Sequence, residues 1–210
     1  MHRIGFYAGL FIVAAVGLML QLIQTRILSV IGWYHLAFFV ISIAMFGLTA
    51  GSVWVYLRKD RFTERTLSYD LAYFSAALAV VTALAFTVQL TLAPAVEPTV
   101  VSALIWGELA IVLAAPFFLA GVVVSLALTR SPYPIGRVYA ADLAGAAIGC
   151  LGVLGLLEIA DGPSAILWVA AMSALAAWFF AGSGIGGPPP IPPRFARDSR
   201  PGYRRAPPRQ

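Results

Sequence analysis

Charge is scarce in this chain of 210 residues: Asp, Glu, Lys and Arg together make up 11% of it. Cysteine is rarer still. Cys150 stands alone inside an apolar stretch, so neither a disulfide framework nor a thiolate metal site is available. There are two histidines, and His35 follows Trp33 and Tyr34, where a membrane-interface aromatic belt explains it better than a metal does. Also missing are a Gly-x-Gly-x-x-Gly turn after a strand, a Walker loop, a His-Glu-x-x-His helix and a pair of catalytic carboxylates. The sequence therefore assigns no catalytic, cofactor-binding or metal-binding residue, and it predicts a chain that is not catalytic by itself.

What the chain has in abundance is apolar surface. It is 60% hydrophobic with a mean hydropathy of +0.88, which excludes an ordinary soluble domain. A span needs roughly 20 mostly apolar residues to cross about 30 Å of hydrocarbon. Six windows qualify: Ile4–Gln24, His35–Leu57, Leu71–Leu92, Val100–Leu128, Val138–Leu157 and Pro163–Ala181. The first starts like a signal peptide but is too long for one and has no Ala-x-Ala site, so it too is taken as a span. The expected fold is an all-α, polytopic bundle of six transmembrane helices over residues 1–181.

Orientation follows from the basic residues, which resist translocation and keep their loops cytoplasmic. Thirteen of the fourteen fall in alternate gaps: Arg3, the Arg58/Lys59/Arg61/Arg65 loop, Arg130 with Arg137, and six arginines beyond position 190. Arg26 is the exception. Both termini are thus predicted inside, in a bacterial inner membrane. The net charge of +5 does not call for nucleic acid, because the stretch from Ala181 onward, with six arginines and one aspartate, accounts for all of it. Residues 182–210, rich in Gly, Pro and Arg, are expected to be a disordered cytoplasmic tail.

Small residues mark where helices should approach closely, since apolar side chains gain little by leaving lipid. Gly47 and Gly51 mark the second span. In the fifth, Asp142, Gly145, Gly149 and Gly152 are separated by three, four and three residues, which puts all four on one face, expected to be buried. The Asp161-Gly162-Pro163 turn predicts a tight hairpin with spans five and six side by side. Phe46-Gly-Leu-Thr-Ala-Gly51 loosely echoes Phe117-Phe-Leu-Ala-Gly121, as a parallel two-span repeat or shared packing vocabulary would.

An ionisable residue within a span is costly unless paired or hydrated. Asp142 enters near the cytoplasmic start of span five, where the helix dipole favours an anion. Glu108 lies close to Trp106, so it either faces outside water or takes a buried role. Arg26 has Glu108 as its expected partner, with solitary snorkelling to the headgroups as the alternative. Pro116 is expected to kink span four. Ser42, Thr49 and Ser52 share a face that interhelical hydrogen bonds would explain.

Particular strings carry a family likeness: Gln24-Thr-Arg-Ile-Leu-Ser29, the run Tyr34 to Gly51, Pro116-Phe-Phe-Leu-Ala-Gly121, Gly136 to Gly149 with Tyr139-Ala-Ala-Asp142 inside it, and Asp161-Gly-Pro-Ser164. Together they resemble the membrane region of bacterial spermidine-synthase-like integral membrane proteins, over about residues 1–181. The resemblance implies a multi-pass region that would precede a soluble aminopropyltransferase-like domain. This sequence turns into Pro and Arg where that domain would begin, and the family's glycine loop and catalytic acids have no counterpart in it. The expectation is a module of polyamine metabolism, anchoring or handling substrate, encoded alone or cut short by a frame change. Its implied partners are the lipid bilayer and either a second copy or a separate aminopropyltransferase-like domain. A small dimeric transporter-like protein is the alternative.

Overall fold

In a computed structural model, residues 2–31, 36–63, 66–91 and 100–184 are described, the side chains of His2, Ile31 and Ser102 excepted. They form six helices: α1 (His2–Ile31), α2 (Leu36–Leu57), α3 (Leu67–Thr91), α4 (Val100–Arg130), α5 (Ile135–Ile159) and α6 (Gly162–Gly182). Each is long and apolar enough to cross a membrane. The chain is an all-helical, multi-pass membrane protein. The aromatic belt at Trp33–His35 and the tail beyond Gly184 lie outside the described residues.

Helices α1, α6, α3 and α4 contact one another in a closed ring, with α2 set against α4 and α1, and α5 against α1. Burial follows from this: 56% of the α1 span is buried but only 17% of α5. Leu10, Leu20, Leu71, Leu78, Phe117 and Ile166 fill the core as part of one hydrophobic cluster. Spans five and six are therefore not side by side. The Asp161-Gly162-Pro163 turn is tight as expected, yet α5 and α6 barely touch. Glycine explains why: Gly145 sits on the Phe11 carbonyl, and a Cβ at Gly149 would come within 2.6 Å of the Ala15 carbonyl oxygen. That notch draws α5 onto α1, while α6 uses the other side of α1, where Gly9 accommodates the Phe180 ring, and bonds to α3.

Gly152 departs from the expected buried face, being exposed with open space around it. The contact line on α5 advances in four-residue steps, from Gly145 to Gly149 and on to Val153, whereas Gly152, three residues after Gly149, turns back to the other side of that line. Val153 takes the buried position instead. Gly47 and Gly51 do pack as expected, against Ala114, Phe117 and Phe118 of α4, while Gly121 of α4 meets Leu48 of α2. The two echoing strings thus face each other across a single interface.

The ends of the bundle sort by chemistry. At one end the Arg3 guanidinium lies 5.9 Å from the Tyr133 ring centroid, and Arg130 donates to the Lys59 carbonyl at 2.7 Å. Ser68 donates to the Phe180 carbonyl at 2.6 Å, joining the start of α3 to the end of α6. So the described basic loops are brought to one end, as alternation of charge requires. At the other end Phe39 of α2 meets Trp106 of α4 edge-on at 5.6 Å, and Ile27 of α1 abuts Gly162.

Helix α1 runs through the polar Gln21–Arg26 segment that the sequence suggested as its end. The hydroxyls of Thr25 and Ser29 donate back to the carbonyls of Gln21 and Thr25, at 2.8 and 2.6 Å, so they are satisfied within the helix. The same device corrects another expectation. Ser42, Thr49 and Ser52 are exposed on α2, and Ser52 bonds to its own Leu48 carbonyl at 3.0 Å rather than to another helix.

Candidate functional site

Arg26 projects from the last turns of α1, at the end of the bundle remote from the basic loops. Glu108 is not its partner: both residues are exposed, and no ion pair joins them. The Phe39–Trp106 contact puts Glu108 level with the first turn of α2, so it faces outward near the membrane boundary. Arg26 instead borders a cavity of about 370 Å³ between α1, α3 and the α5–α6 turn. Ile23, Val30, Phe86, Leu90 and Pro163 supply apolar walls, and the other charge in the lining is Asp161.

Local structure explains why Asp161 is available there. It occupies the residue before α6, a position where a carboxylate normally caps the free N–H groups of the first turn. Its side chain makes no capping bond; only its backbone carbonyl is used, by Ala165 N–H at 2.8 Å. Two opposite charges therefore line one recess without neutralising each other.

Beside this cavity Gln24 is buried, and its Nε2 donates to Oε1 of Gln89 on α3 at 3.0 Å. The Oε1 of Gln24 has no partner among the described residues. Gln24 closes the first apolar window of the sequence, whereas Gln89 falls inside the third, although the signal is plain on α3. Ser68, Ser75, Thr82 and Gln89 recur every seven residues, on one helical face. Ser68, Ser75 and Thr82 are buried, and the hydroxyls of Ser75 and Thr82 have no partner among the described residues. Each polar residue in this row is separated from the next by about 10 Å of helix, with Leu71 and Leu78 buried between them.

Asp142 is half-buried on α5 and has no hydrogen-bond or ion-pair partner among the described residues. Because α5 starts at Ile135, Asp142 stands about two turns in, where the helix dipole has largely faded. Dipole compensation is thus a weaker account than the sequence suggested. Helix α4 continues unbroken through Pro116, and an apolar cavity of about 530 Å³ lies beside it, lined by Phe46, Ala114, Phe118 and their neighbours. Its walls suit hydrocarbon and nothing polar. Among the described residues no group of three or more His, Cys, Asp or Glu could hold a metal ion. No protein-family model, curated protein or solved structure matches the chain.

Proposed function

We propose that the chain is a scaffold module of the bacterial inner membrane, of the spermidine-synthase-like kind, that anchors an aminopropyltransferase-like partner and does no chemistry alone. The observation that carries this reading is the filling of the helical ring by Leu10, Leu20, Leu71, Leu78, Phe117 and Ile166. A polyamine carries several charges, each costing at least about 2.5 kcal/mol at the centre of a bilayer without compensation. Hydroxyls two turns apart along α3 do not offer it a continuous polar lining. The anchoring surface is the basic end, where Arg3, Arg58 and Arg61 lie over aromatic rings and Arg130 ties two loops together.

The test is reconstitution of the purified chain into vesicles, alongside affinity isolation from its native cells. The account expects spermidine uptake no faster than in protein-free vesicles, no aminopropyl transfer by the chain alone, and recovery of an aminopropyltransferase-like domain bound to it. Saturable spermidine uptake that Thr82→Val or Asp142→Asn abolishes would establish the transporter alternative instead.

A further inference from the structure

We propose that the cavity at the outer ends of α1 and α3 is a binding site for a zwitterionic lipid headgroup bearing a primary ammonium, its phosphate on Arg26 and its ammonium on Asp161. This inference stands apart from the polyamine reading. It starts from the two charges, which border one recess of about 370 Å³ and, among the described residues, have no ion-pair partner, neither each other nor a third residue. A recess of that size is in the range of small-ligand sites.

The pair of charges selects the ligand. Arg26 is the one Lys or Arg on its side of the membrane, and its guanidinium offers a fork of donors matched to a phosphate. A purely anionic ligand that satisfied Arg26 would leave Asp161 facing a like charge across the same recess. A purely cationic one, such as a polyamine, would be repelled by Arg26. Only a ligand carrying both charges satisfies both residues, with N–H groups for the carboxylate to accept.

The walls select the source. Val30 and Leu90, 79% and 67% exposed, form the outer rim of the recess, while Ile23, Phe86 and Leu157 line it about one turn deeper than the two charges. Ile27 abuts Gly162 at the same level, so the cavity lies at the turn between spans, where headgroups meet hydrocarbon. From Leu157 the apolar surface continues inward along the same face of α5 to Leu154, which is 62% exposed, so an acyl chain can run down the bundle while the headgroup stays between the charges.

The experiment is native mass spectrometry of the full chain released from detergent, with phosphatidylethanolamine, phosphatidylcholine or phosphatidylglycerol supplied. Phosphatidylethanolamine should be retained about tenfold better than either of the others, equivalent to about 1.4 kcal/mol. Arg26→Gln and Asp161→Asn should each erase that preference, and Asp161→Asn should favour phosphatidylglycerol. Both side chains are exposed, so melting without lipid should not change in either variant. Should a variant fold poorly, the preference of the native chain alone decides. Equal retention of phosphatidylethanolamine and phosphatidylglycerol by the native chain, or an undiminished preference in a well-folded variant, would overturn the proposal. Free phosphoethanolamine stabilising the chain as well as the lipid does would overturn the lipid assignment.

Discussion

Gln24 illustrates how one polar side chain can hold two spans together near the membrane boundary. Its amide donates to Gln89 at 3.0 Å, yet its own Oε1 has no protein partner, so the pair is only half satisfied. Removing one partner leaves a polar group stranded, whereas removing both removes the problem. Gln24→Leu should therefore lower stability, and adding Gln89→Leu should recover most of the loss. Equilibrium unfolding in detergent should give a coupling of about 0.6 kcal/mol and no more than about 1.7. Strictly additive losses would mean that the two amides do not sense each other. Residues of this kind were only partly legible in the sequence. Gln24 is visible as the polar end of the first apolar window, but Gln89 lies at the end of a helix whose seven-residue polar row passes for ordinary serine and threonine.

The elements were far easier to read than their neighbours. A span is a local property, and twenty apolar residues announce one wherever they occur. Only the polar ends misled, as in α1, which continues to Ile31 because Thr25 and Ser29 bond back to their own helix. Which helix touches which is a different matter, because helices that are apolar all round show no preferred face in the sequence. Glycine spacing predicted contact for Gly145, Gly149 and Gly152 alike; only the first two lie on α1. The consequence is measurable. Gly149→Leu drives a side chain into the Ala15 backbone and should cost about 1–3 kcal/mol, the usual range for overpacking. Gly152→Leu points into open space and should stay within about 0.5 kcal/mol. Thermal unfolding of the two variants side by side checks this, and equal destabilisation would contradict the α1–α5 interface.

At the scale of the whole molecule, the bundle is polarised. Arg3, the Arg58–Arg61 stretch and Arg130 gather at one end through contacts among α1, the α2–α3 loop and the α4–α5 loop. The opposite end holds Arg26 with Asp161 at the cavity, and Glu108 near the boundary. The packing of the helices thus places the described basic loops at one end, as six crossings require. The two proposed sites depend on that orientation, since a scaffold needs its basic end in the cytoplasm and a headgroup site needs its cavity at the outer leaflet. The most direct test is a pair of alkaline phosphatase fusions, one after residue 62 in the α2–α3 loop and one after residue 161 in the α5–α6 turn. The account predicts an inactive fusion at 62 and an active one at 161; activity at 62 with none at 161 would contradict it.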